Sequence, residues 1–169
     1  MIPARWMALG SVVAATVTLA GCAGARIVDG VYQSPKGYQV AVPSGDWTIT
    51  TRGRADVELR HRTEPVGMLV HATCGDVPSR ATLDVLARHL LIGLRDRAVV
   101  SAEEISLNGK VARHAVVDGR LGDAEAVRVE LYVVRGTRCV YDLLYAASRP
   151  SFDDWRPGFQ RLVETFQTE

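Results

Sequence analysis

Hydrophobic residues along this chain follow two different periods, and a largely apolar run, relieved only by Gly10, Ser11, Thr16 and Thr18, precedes both. That run, Met7 to Leu19, follows a short start carrying Arg5. It has the length of a signal-peptide apolar region and is too short for a transmembrane helix of about 20 residues. Beyond it, Tyr38, Val40 and Val42 alternate with Gln39 and Ala41 as a strand, Pro43 to Asp46 turns, and Trp47 to Ile49 is extended again. Ala55 to His61 alternates with Val57, Leu59 and His61 on one parity. Glu64-Pro65 breaks the run, and Gly67 to Cys74 returns with Met68, Val70 and Ala72 in phase. The two segments read as an antiparallel hairpin that would set Glu58 opposite His71 as a surface pair.

From Val77-Pro78-Ser79 to Arg97 the period becomes helical: Leu83, Leu86, Leu90 and Leu94 recur with Ala87 and Leu91. Ser79 or Thr82 would cap this helix, with Asp84 in its first turn and Arg95 and Arg97 in its last. Period two then resumes. Val99 to Leu107, Lys110 to Asp118, Glu125 to Arg135 and Cys139 to Ser148 form a four-stranded meander whose first turn is Asn108-Gly109, the strongest short hairpin signal. The chain ends helical. Ser151 with Asp154 suggests a capped first turn, Pro157 restarts the helix, and Phe159, Leu162, Val163 and Phe166 make one apolar face.

This order predicts an α+β fold: one antiparallel β-sheet of about six to seven strands flanked by two helices. The expected organisation is a leader over 1–21, a tether over 22–30 and one globular domain over 31–169. The pattern Tyr32…Gly37-Tyr38-x-Val40-x-Val42-Pro43-x-Gly45-x-Trp47, the meander and the closing Phe159…Phe166 helix together resemble the PsbP-like α/β/α sandwich. Cys139-Val-Tyr-Asp142 is similar to a segment of uncharacterised lipoproteins of this kind. The resemblance covers about Tyr32 to Phe166. It implies a fold shared by photosystem extrinsic subunits and bacterial lipoproteins, without one common function.

Leu19-Ala20-Gly21-Cys22 resembles the bacterial lipobox at every position. The resemblance implies that the Cys22 thiol carries a diacylglyceryl group, that residues 1–21 are removed, and that acyl chains hold the mature chain on a lipid bilayer. Ala23 in place of an aspartate favours the outer membrane, on its periplasmic side, in a Gram-negative cell. The other reading is cleavage at Ala23-Gly24-Ala25, releasing a secreted chain that begins at Arg26.

Charge removes one class of partner. The chain carries 20 basic and 19 acidic side chains, and Arg5 is the only charge in the leader, so the mature domain is neutral. A neutral domain has no general attraction to polyphosphate, and no nucleic-acid partner is expected. With Cys22 lipidated, Cys74 and Cys139 are an even pair in an oxidising compartment: a disulfide, or two buried thiols packed as small hydrophobes. His71, Cys74 and Asp76 are close in sequence, but positions i and i+3 of a strand face opposite ways, so no metal site is expected. No Gly-x-Ser-x-Gly elbow, His-Glu-x-x-His helix or Gly-rich phosphate loop occurs, and neither catalysis nor a cofactor is expected. Arg52, Arg54, Arg60 and Arg62 are interrupted by Asp56 and Glu58 and read as a mixed solvated face. Three functions follow: first, a tethered non-enzymatic adaptor for another envelope protein; as the alternative, a small-ligand carrier with a cavity lined by Tyr132, Tyr141, Tyr145 and Trp155; and last, an enzyme without a recognisable motif.

Overall fold

The computed structural model describes residues 24–51, 53–75, 81–122 and 126–168. In chain order its elements begin with β1 (Arg26–Val28), β2 (Val31–Ser34), β3 (Tyr38–Ala41), β4 (Trp47–Thr50), β5 (Val57–His61) and β6 (Val66–Cys74). Then follow α1 (Leu83–Leu90), β7 (Leu94–Leu107), β8 (Lys110–Leu121), β9 (Ala126–Arg135), β10 (Cys139–Ser148), α2 (Phe152–Glu164) and β11 (Gln167–Thr168). The large sheet is antiparallel and seven-stranded, in the order β4-β5-β6-β10-β9-β8-β7. The last strand of the meander therefore closes against the β5–β6 hairpin. At the β7–β8 turn both Asn108 (φ 49°) and Gly109 (φ 78°) are left-handed, as a two-residue turn matched to strand twist requires.

Strand alternation places a helix on each side of this sheet. One parity of β6 (Val66, Met68, Val70, Ala72) and of β10 (Tyr141, Leu143, Tyr145) is buried together with Phe152, Phe159, Leu162 and Val163 of α2. Tyr145 stacks on Phe159 with ring centroids 5.5 Å apart, and its hydroxyl donates to the Phe152 carbonyl at 2.6 Å. Burying each such aliphatic or aromatic side chain is worth roughly 1.5–3 kcal/mol, so α2 is held chiefly by this face. The opposite parity (Ala115 and Val117 of β8, Val129, Leu131 and Val133 of β9) is buried beneath Leu83, Ala87 and Leu91. The result is the PsbP-like α/β/α layering.

Four expectations need correction. The first helix is only Leu83–Leu90, not the whole span to Arg97. Gly93 at φ 96° and Asp96 at φ 51° are incompatible with a continuing helix. Leu91 and Leu94 are nevertheless buried, at 8% and 5% exposure, so the apolar spacing continues through a turn into β7. Thr82 is the N-cap, its side chain accepting from the Val85 amide, and the basic residues of the last turn are Arg88 and His89.

The stretch expected as a tether contributes β1, which joins β2, β3 and β11 in a second, four-stranded sheet. Ser151 makes no capping bond; its Oγ meets that of Ser148 at 2.6 Å, and α2 runs through Pro157 without a restart. Finally, Glu58 pairs with Leu69 rather than His71. His71 instead lies beside Asp56, with Nδ1 and Oδ1 3.4 Å apart.

Candidate functional site

Because α1 is short, it covers the sheet over β8, β9 and Val140 of β10, and among the described residues no helix lies above the same face of β5, β6 and the rest of β10. An open groove of about 770 Å³ lies there. Its floor is the outward parity of two paired strands, with Leu69 opposite Leu144 and Gly67 opposite Ala146. Leu90, Leu121 and Val127 supply apolar walls, and Glu58, Arg60 and Arg54 stand at the β5 side. Glu58 is occupied: its Oε1 accepts from the amides of Arg54 and Ala55 at 3.0 and 3.2 Å, and Arg60 approaches its other oxygen at 3.9 Å.

One register step further along the floor, Asp142 faces His71 across β10 and β6. Asp142 Oδ1 is buried without a hydrogen-bond partner, whereas the buried Nδ1 of His71 faces Asp56 Oδ1 at 3.4 Å. Burial pushes the Asp142 carboxyl up to about 6, with no donor to offset it. Unsatisfied buried polar atoms are rare because each costs about 1–3 kcal/mol. Asp142 is such a group, and it stands in the floor of the groove.

The face under α2 contains a second ionic cluster, but a saturated one. Glu130 is fully buried on β9. Its carboxylate accepts from Arg156 Nε and Nη2 at 2.7 and 3.0 Å and from the Tyr132 hydroxyl at 3.3 Å, and it lies 2.9 Å from His114 Nε2. His114 in turn stacks on Tyr132 and approaches Glu103 at 3.4 Å through Nδ1. Burial alone would raise the Glu130 carboxyl, but the bonds and charges of His114 and Arg156 outweigh it and hold it at about 2. The bond to Glu130 raises His114, against the opposing effect of burial. Every group named has a partner, and the cluster contains no serine, threonine or cysteine. Its work is to pin α2 to β8 and β9.

Asp56 organises a third cluster in the same way. It accepts from Lys36 Nζ at 2.7 Å, the Tyr38 hydroxyl at 3.1 Å and the Ala72 amide at 2.9 Å. These contacts join the small sheet to the large one.

The residues singled out from the sequence fall as follows. Leu19, Ala20, Gly21 and Cys22 lie outside the described residues, as does Asp76. Cys74 and Cys139 stand directly opposite each other at the ends of β6 and β10 and are joined by a disulfide. That bond removes Cys74 as a metal ligand. Among the described residues no group of three or more His, Cys, Asp or Glu side chains is placed to hold a metal ion. Tyr141 and Tyr145 are core residues under α2, and Trp155 packs against His61 with centroids 4.3 Å apart. The groove described above is on the opposite face from these aromatics, so the lining expected for a carrier is corrected. Asp142 belongs to the Cys139-Val-Tyr-Asp142 segment and carries no site expectation from the sequence. A usable signal was present: Val140, Leu144 and Ala146 share its parity while Tyr141, Leu143 and Tyr145 fill the other, which makes Asp142 a lone charge on a strand apolar on both faces.

Neither a protein-family model nor a curated protein sequence matches the chain. Solved structures do. Cyanobacterial PsbP (CyanoP) from Synechocystis sp. PCC 6803 is 17% identical over 89% of this chain and 99% of that one, with a TM-score of 0.60. LpqN of Mycobacterium tuberculosis, described as involved in cell envelope biogenesis, is 15% identical over 78% of this chain and 83% of its own, with a TM-score of 0.59. A protein from Bacteroides thetaiotaomicron VPI-5482 is 10% identical over 78% of this chain and 45% of its own, with a TM-score of 0.55. At these identities the likeness establishes the PsbP-like fold. Among the described residues no helix is long and apolar enough to cross a membrane.

Proposed function

We propose that this chain is a non-catalytic envelope lipoprotein, held on the bilayer by acylated Cys22, whose domain carries an apolar ligand in the groove beside α1. The groove is the single observation on which the reading rests. A binding cavity of 300–1,000 Å³ with apolar walls and a few convergent polar groups is the usual form of a small-ligand site, and 770 Å³ with Asp142 and His71 in its floor matches it. An adaptor for another protein needs no such cavity, so the carrier reading is preferred to the adaptor. The envelope setting is supported by the lipobox and by the description of LpqN, which shares the fold. A non-catalytic role is supported by the saturated Glu130–His114 cluster, which has no nucleophile beside its imidazole.

Two measurements check this. Ala146 lies opposite Gly67 in the floor, so Ala146→Trp has room only by filling the groove. The variant is expected to lose binding of the neutral dye Nile red while keeping the melting temperature of the parent; unchanged dye binding removes the groove as the site. Cys22→Ser is expected to abolish labelling of the chain by a radiolabelled fatty acid in growing cells. Persistent labelling would show that the lipid is attached elsewhere and overturn the anchor.

A further inference from the structure

The groove is apolar along most of its floor and carries one unanswered charge. Asp142 Oδ1 is buried without a partner, beside His71 on the neighbouring strand. His71 Nδ1 faces the Asp56 carboxylate and leaves Asp142 without a donor. The basic residues at the groove do not answer the carboxylate. Arg54 and Arg60 are exposed at the β5 side, where water satisfies them, and Arg60 leans on Glu58. Val133, the β9 residue paired with Asp142, is apolar. What is missing at Asp142 is therefore a positive charge with several N–H donors, delivered from the groove. What the rest of the floor offers, from Leu144 and Leu69 to Ala146, is contact for hydrocarbon.

We infer that the ligand of this groove is a cationic amphiphile, a primary ammonium head on an alkyl chain, with the head seated on Asp142 beside His71 and the chain lying along Leu69 and Leu144 towards Leu90 and Val127. This rests on the carrier reading above. An ammonium brings three N–H donors and a positive charge to the unpartnered carboxylate and neutralises it. An alcohol of the same length offers one donor and no charge, and a fatty acid brings a second carboxylate against the first. The four residue steps from Asp142 to Ala146 span roughly 13 Å of strand, which a dodecyl chain can follow.

The test uses residues 22–169 with Cys22→Ser, which contains every described residue of the fold. Dodecylamine, dodecanol and dodecanoate are compared below their critical micelle concentrations by displacement of Nile red. Dodecylamine is expected to bind at least tenfold more tightly than dodecanol, with dodecanoate weakest. In Asp142→Asn, nearly the same shape without the charge, dodecylamine is expected to fall to the affinity of dodecanol. Equal binding of all three, or preference for dodecanoate, overturns the ammonium head and leaves the groove as a carrier site. A preference for the amine that survives in Asp142→Asn overturns the seat at Asp142. Failure of all three to bind, in a protein with an intact melting transition, overturns the carrier reading together with this inference.

Discussion

Replacing Arg156 with methionine is expected to lower the stability of the folded domain by about 3 kcal/mol, seen as a fall of roughly 1–3 M in the urea midpoint. Arg156 supplies two of the hydrogen bonds to Glu130, at 2.7 and 3.0 Å, and Glu130 has no exposed surface. Without the guanidinium the carboxylate keeps only His114 and the Tyr132 hydroxyl. Breaking one side of a buried ion pair costs about 3–5 kcal/mol because the other charge stays behind unpaired. The lower end applies because Arg156 is 35% exposed in its side chain and part of its attraction is screened. Adding Glu130→Leu to Arg156→Met is expected to recover much of the loss, since no buried charge then remains without its partner. A single variant within about 0.5 kcal/mol of the parent would show that the cluster does not hold α2.

The same cluster sets a pH window. Glu130 is held at about 2 when folded, against 4.5 for the free side chain. Its contribution is therefore complete above pH 4.5 and is lost as the pH falls towards 2, an amount of about 3 kcal/mol. His114 is raised above 6.5, so its contribution is complete below that pH and is lost as the pH rises through its folded value. Asp142 acts in the reverse sense to Glu130. With its folded value up at about 6 against 3.8, it favours the fold most at low pH and gives that up between about 4 and 6. In Arg156→Met the acid limb should flatten, because the Glu130 carboxyl is no longer held so low.

How much of this could be read from the chain depends on what fixes each feature. Strands β5, β6, β8, β9 and β10 were legible because each buries at least one parity against the core, whereas β7, largely exposed, was marked by the turn that ends it. Asn108-Gly109 marked its turn because its two residues accept left-handed backbone. The first helix was overextended because Leu91 and Leu94 satisfy helical spacing while being buried by a turn and a strand start. Spacing records burial, not backbone. β1 was missed since all three of its residues are exposed, and β11 since it has only two. Neither length nor alternation signals such strands. The sequence favoured a cavity near the tyrosines because aromatics suggest a lining. Which face is filled depends on side-chain volume brought by each helix: Phe152 and Phe159 of α2 fill one side, whereas the eight residues of α1 leave part of the other open. That asymmetry is a property of helix length, and the length was the part misread. The charge on Asp142 was visible; the absence of a partner for it depends on register across β6, β10 and β9, which no single segment contains.

Reduction of the Cys74–Cys139 disulfide is expected to destabilise the domain by about 4 kcal/mol, or roughly 8–16 °C in melting temperature. The bridged residues are 65 apart in sequence, so the bond closes a loop that takes in α1, β7, β8 and β9. The unfolded chain loses the entropy of that loop, and on loop-closure entropy alone this gives the figure stated. The fold should survive reduction below the melting point, because β6 and β10 are paired along their length from Cys74–Cys139 to Val66–Ala147 and the bond sits at one end of that ladder. Reduction therefore acts on the unfolded state more than on native contacts. The double variant Cys74→Ala with Cys139→Ala is expected to melt close to the reduced parent, whether or not reductant is present. Denatured without reductant, the mature Cys22→Ser chain should expose no reactive thiol; two free thiols would mean that the bond does not form. A bond confirmed by thiol counting but with a melting temperature insensitive to reductant would place the effect elsewhere: the unfolded chain would then be keeping β6 and β10 together without it, and the loop-closure account would fail.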